Sequence, residues 1–170
     1  MKVLAIHPGN VESAYALIDS KNYEPLEIDK IENNLLLEKI DYLYDKRNIN
    51  NNLMDVVIEI GSDKNTLETV FWIGRFYERS LQNILVDEEG NKYEKVNRIY
   101  HKDIKMNLCG KTKANNSTIT QALIDRFAYN VPNLGKGYKS TPGFFYGFRD
   151  DIWKSYAVGV TYIDNMKGGE

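Results

Sequence analysis

Two ionisable side chains stand at the ends of apolar runs, where a folded chain does not leave charge without a reason. Met54 to Ile60, Met-Asp-Val-Val-Ile-Glu-Ile, reads as a central strand, and Glu59 sits near its end. An unpaired carboxylate in a buried strand is costly, so Glu59 requires a metal ion, a basic partner or an exposed strand end. Val3 to Ile6 is a second such run. It delivers His7 to its carboxyl end, just before Pro8-Gly9-Asn10, a turn. A strand end is rigid and still open to substrate, which suits a catalytic side chain. The plain alternative is a strand-end histidine satisfied by a neighbouring acid.

A further set of residues is basic. The chain carries a net charge of −2, but its distribution is uneven: −7 over residues 1–97, +6 over 98–140 and −1 over 141–170. A basic stretch in an otherwise acidic protein is the footprint of a phosphate-binding surface, the alternative being a solvated face. Lys105, Lys111, Lys113, Asn115, Asn116 and Ser117 lie around a helix N-terminus, where backbone N–H groups and the helix dipole attract phosphate. Lys136 and Lys139, with Tyr138 and Phe144, add charge and rings suited to stacking.

The elements that must position these residues follow from periodicity. Val3–Ile6 and Glu12–Ile18 form a hairpin, with Ala14, Ala16 and Ile18 on one face and Tyr15 and Leu17 on the other. Glu24–Ile31 reads as a third antiparallel strand, with Pro25 tolerated at its start. Residues 33–46 have helical spacing, 48–52 are a polar loop, and Met54–Ile60 is the next strand. Gly61 to Asn65 is a loop, and Thr66 to Asn83 a helix with an apolar stripe of Val70, Ile73, Phe76, Tyr77 and Leu81. Phe71 and Trp72 on that helix suit a core or a dimer face.

Residues 84–100 read as a two-stranded ribbon turning at Glu88-Glu89-Gly90-Asn91. A short helix over Lys102–Leu108 ends at Gly110, and Ser117 caps the next helix, which runs to Tyr129. Asn130 to Phe148, rich in Gly, Lys and aromatics without a period, reads as a mobile loop. The last helix, Asp150 to Asn165, packs through Ile152, Trp153, Tyr156, Val160 and Ile163.

A chain of 170 residues holds one domain with a real core, here expected over 1–170. No stretch has the length of a membrane span and no secretory-signal pattern opens the chain, so an intracellular protein is expected. Cys109 is the single cysteine, which excludes an internal disulfide and a cysteine-rich zinc site.

Four ordered blocks carry a resemblance. Leu4-Ala5-Ile6-His7-Pro8-Gly9 is one, and Val57-Ile58-Glu59 with Lys64-Asn65 and Ile73-Gly74 is another. Lys105 to Gly110 with Ala114 to Gln121 is the third, and Asp150 to Thr161 the fourth. Together they resemble RuvC-type Holliday junction resolvases, closest to the RuvC-like proteins of lactococcal and related phages. The resemblance implies an RNase H-like α/β fold: a mixed sheet, three antiparallel strands then parallel ones, flanked by helices. It implies a metal-dependent endodeoxyribonuclease acting on branched double-stranded DNA as a homodimer in the bacterial cytoplasm, with Thr66–Asn83 as the dimer surface. Since no groove-reading helix is evident, recognition of DNA shape is expected. Phosphodiester hydrolysis puts negative charge on attacking and leaving oxygens, and divalent cations held by carboxylates can clamp both.

Carried over residue by residue, the catalytic set is His7, Glu59, Asp151 and Lys154, with Asp150 as substitute if the last helix is shifted. Glu59, Asp151, Asp150 and His7 would ligate Mg²⁺. The departures are at His7, where the family has Asp, and at Lys154, where a second acid belongs. Imidazole is a poor Mg²⁺ ligand but serves Mn²⁺. Three readings follow: one metal on Glu59 and Asp151 (with Asp150 or Asp63) and Lys154 standing in for a second ion; a scaffold that binds branched DNA and cuts it weakly or not at all; or an engineered residue 7. An actin-like phosphotransferase lobe also shares the opening hairpin, but such proteins need two lobes and 170 residues do not hold them.

Overall fold

A computed structural model describes residues 1–50, 53–61, 66–84, 86 and 88–169, the side chains of 47–50 excepted. Asp63, Lys64 and Asn65, named above as a ligand and as part of a motif, lie outside the described residues. The chain runs β1 (Lys2–His7), β2 (Glu12–Asp19), β3 (Pro25–Glu32), α1 (Asn33–Asn50), β4 (Met54–Ile60), α2 (Leu67–Asn83), β5 (Val96–Tyr100), α3 (His101–Cys109), α4 (Asn116–Phe127), a two-stranded ribbon β6 (Gly137–Tyr138) and β7 (Thr141–Pro142), and α5 (Asp150–Gly168). The five-stranded sheet has the order β3-β2-β1-β4-β5. β1 pairs antiparallel with β2 and parallel with β4, and β4 pairs parallel with β5. The carboxyl ends of β1, β4 and β5 therefore open on the same edge, where ligands bind in sheets of this kind.

Alternation along the strands sorts the core into two layers. Leu4, Ile6, Tyr15, Leu17, Val56 and Ile58 pack under α1 and α2, with Leu36, Ile40 and Phe76. Val3, Ala5, Ala14, Ala16, Ile18 and Val57 pack under α3, α4 and α5. His7 and Glu59, two residues beyond Ala5 and Val57, share this second face. The alanines let α5 come close. A Cβ on Gly159 would lie 2.3 Å from Ile18 Cδ1 and 3.0 Å from Ala5 Cβ, so only glycine fits there. Every α5 residue from Ser155 to Ile163 is buried, a helix covered on all sides.

The turn after His7 is built by polar residues. The Gly9 N–H donates to Ser13 Oγ, Ser13 donates to Asn33 Oδ1 at 2.6 Å, and Asn33 Nδ2 returns to the Gly9 carbonyl at 3.0 Å. Asn10 accepts from the hydroxyls of Thr66 and Thr69, tying the same turn to the start of α2.

Several expectations change. The polar loop expected over 48–52 is the end of α1 as far as Asn50. Among the described residues the ribbon over 84–100 is reduced to one bridge, Val86 to Lys92, and its second arm joins the main sheet as β5, because Val96–Tyr100 pairs along β4. On α2 the buried positions are Thr69, Phe76 and Ser80, whereas Val70 and Leu81 of the expected stripe are exposed. The cap of α4 is Asn115, whose side chain accepts from the Thr118 N–H, and Ser117 is already inside the helix. The region 130–148 is anchored rather than loose: Phe145 and Phe148 are fully buried against Trp153 and Tyr156. Phe144 stacks on Phe127 with centroids 5.4 Å apart, so it is part of the core and not a stacking platform.

Candidate functional site

At the shared edge of β1, β4 and β5 the Glu59 carboxylate is held between two imidazoles. His7 donates from Nδ1 to Oε2, and His101, the first residue after β5, donates from Nδ1 to Oε1 at 2.6 Å. Burial by itself would raise the Glu59 carboxyl, but the hydrogen bonds it accepts from His101 and His7 outweigh it and hold it at about 2. An ionised carboxylate accepts only, so both Nδ1 atoms carry protons and both Nε2 atoms stay available. Glu59 has the basic partners that its strand required.

Asp151 stands on the other side of His7, with Oδ1 3.8 Å from His7 Nε2. Two ammonium groups clamp it. Lys154, one turn along α5, donates to Oδ1 at 2.7 Å, and Lys30 of β3 donates to Oδ2 at 2.8 Å. Burial again opposes ionisation, and the hydrogen bonds from Lys154 and Lys30 overcome it, so the Asp151 carboxyl lies well below its ordinary range. The dipole at the start of α5 adds in the same sense. Asp150 differs. It is exposed, has φ of +38°, an unfavourable conformation for a side-chain-bearing residue, and its side chain makes no hydrogen bond among the described residues. Of the adjacent acids, Asp151 is the one turned to the site.

The fold thus brings together His7, Glu59, Asp151 and Lys154 from the sequence-derived set and leaves Asp150 outside. It adds two residues that sequence reasoning missed. Lys30 pairs across the sheet with Ala14, and Ala14 with His7, so the three form one row. That row was implicit in the alternation of β3. His101 was hidden by the ribbon reading, since only a parallel β5 beside β4 places residue 101 next to Glu59.

The basic residues flank this centre. A small cavity beside it is lined by Glu59, His101, Lys154, Trp153, Thr120 and Asn116, which brings the first turn of α4 to its wall. Lys111, Lys113, Asn115, Asn116 and Ser117 are exposed there, and Lys105 is half-buried on α3. Lys136 and Arg149 line a shallow groove leading to the start of α5, with Lys139 and Tyr138 exposed near it.

The donor set does not fit the Mg²⁺ centre that the resemblance implied. Mg²⁺ demands near-octahedral oxygen coordination. Here each oxygen of Glu59 accepts from an imidazole and each oxygen of Asp151 from an ammonium. Among the described residues no group of three or more His, Cys, Asp or Glu is arranged to hold a metal ion.

No protein family and no curated protein matches the sequence. Solved structures do. RuvC from Thermus thermophilus is similar with a TM-score of 0.64 and 13% identity, over 99% of this chain and 97% of that one. RuvC of T. thermophilus in complex with a Holliday junction substrate is similar with a TM-score of 0.56 and 12% identity, over 99% and 96%. The chain has the RuvC-like, RNase H-like fold. Among the described residues no helix is long and apolar enough to cross a membrane.

Proposed function

We propose that this protein is a structure-selective endonuclease for branched double-stranded DNA, with four-way junctions as its substrate class. One observation carries the reading. His7, Glu59, His101, Lys30, Asp151 and Lys154 come from five different elements and meet at one end of the sheet, in a fold shared with a protein solved on a Holliday junction. Hydrolysis adds water to a backbone phosphorus and breaks one P–O bond to a sugar. It leaves a phosphate monoester and a hydroxyl, the proton of the water passing to the leaving oxygen. Glu59 fixes both imidazoles, which leaves His7 Nε2 at the cleft as a proton acceptor. Lys30 and Lys154 offset the charge that builds on the phosphate.

The basic residues of the α3–α4 turn and of the 136–139 ribbon hold the flanking backbone, a contact that reads shape and not sequence. The reading extends to one nuclease domain over 1–170, acting in the cytoplasm of a bacterial host as a phage-type resolvase. It also extends to a homodimer joined through the exposed Leu67, Val70 and Phe71 of α2.

The test incubates purified protein with a labelled four-way junction and a linear duplex of the same length, in Mg²⁺, in Mn²⁺ and in EDTA. Nicking of the junction and not of the duplex supports the reading; binding and cleavage without preference for the junction overturn it. A second reading is a protein that binds branched DNA without cutting it. The observation favouring it is that every carboxylate oxygen of Glu59 and Asp151 is already hydrogen-bonded inside the protein. A junction shifted but never nicked selects it.

A further inference from the structure

We infer that this site is an anion site: Lys30 and Lys154 grip a DNA backbone phosphate directly, with no divalent cation between, and Asp151 is the internal anion that holds the grip ready. The inference rests on the branched-DNA reading above. Its ground is the arrangement of charges. The two ammonium groups come from different elements, β3 and α5, and converge on the two oxygens of one carboxylate at 2.8 and 2.7 Å. A carboxylate seated between two lysines occupies the same kind of space that two non-bridging phosphate oxygens would. Both lysines are about one-third exposed and Asp151 about one-quarter, so the set is reachable from solvent. Behind it the two histidines take up Glu59, which is 3% exposed, so the remaining acid is withdrawn from any incoming ligand.

Phosphate displacing Asp151 exchanges one charge-assisted pair for another, and the carboxylate turns to water. A cation at the same place would instead have to displace four internal hydrogen bonds and sit beside two ammonium groups, with like-charge repulsion on both sides.

The inference fixes the sign of one substitution. Asp151→Asn removes the competing anion and leaves both lysines, so junction binding should tighten severalfold, equally in EDTA and in Mg²⁺. Lys30→Ala and Lys154→Gln should each weaken binding several-fold and lower the slope of log affinity against log salt by about one. Mn²⁺ alone, titrated calorimetrically into the DNA-free protein, should show no saturable uptake in the millimolar range.

Two results would overturn the inference: saturable Mn²⁺ uptake that Asp151→Asn abolishes, or weaker junction binding by Asp151→Asn in Mn²⁺ with none of that loss in EDTA. Should the wild-type protein ignore junctions under every condition, the branched-DNA reading fails, and the inference, which needs a backbone phosphate as ligand, fails with it. Junction binding together with Mn²⁺ uptake would retain that reading and overturn this inference alone.

Discussion

The two carboxylates of the site are neutralised in different ways. Glu59 is buried and shares its oxygens between two imidazoles fixed on strand ends, whereas Asp151 is partly open and shares its oxygens between two flexible ammonium stems. Desolvation separates them. A buried charge must keep its partners, because losing one strands the other in a medium that solvates poorly, while a surface pair is worth little and exchanges readily. Glu59 is therefore the fixed half of the site and Asp151 the exchangeable half.

The sharpest break of this contrast is truncation. Glu59→Ala should cost roughly 3 kcal/mol, because it leaves two half-buried imidazoles without an acceptor. Asp151→Ala should cost about 1 kcal/mol or less. Urea midpoints at unchanged m-value measure both, and equal losses would erase the distinction.

Acid comes next. Both carboxyls are depressed in the folded state, so each contributes stability that is complete above its unfolded value and lost as pH falls through its folded one. For Glu59 the window lies between its ordinary value of 4.5 and about 2. For Asp151 the loss begins below its ordinary value of 3.8. Thermal melts from pH 6 to 2 should fall through this range, and Glu59→Gln should flatten the upper part of the decline.

His7→Asp tests the fixed half from the other side. It places a second acid against Glu59 and should lower stability by about 1–2 kcal/mol at neutral pH. Added Mn²⁺ should restore the loss in this variant, in proportion to ln(1 + [Mn²⁺]/Kd), and leave the wild-type melt unmoved. The smallest effect is expected at Tyr138. This exposed ring should leave the melt unchanged on replacement by Ala and weaken junction binding several-fold, by analogy with base stacking. Phe144→Ala should do the reverse, because that ring is packed on Phe127.

How much of this was legible depended on how local the signal was. The first four strands, the α2 helix and α5 could be read from alternation and helical spacing, because side-chain period reports which face is buried. Boundaries shifted where a competing pairing won: Val96–Tyr100 left its ribbon for β4, and Asn115 took the cap from Ser117. The 130–148 region was misread because its core residues, Phe145 and Phe148, have no period of their own. They are fixed by Trp153 and Tyr156, which lie further along the chain.

The sequence by itself determined that Glu59 would need a partner and that His7 would stand at a strand end, since the cost of burying charge and the stiffness of a strand are local properties. It also determined the basic stretch and its place near a helix start. Only the tertiary structure decided that the partner of Glu59 is a pair of histidines, that Lys30 and not Asp150 meets Asp151, and that both acids are answered by internal hydrogen-bond donors. Those facts depend on strand register and on the packing of α5 against β1 and β2. A one-residue slip in either would face the same side chains the other way.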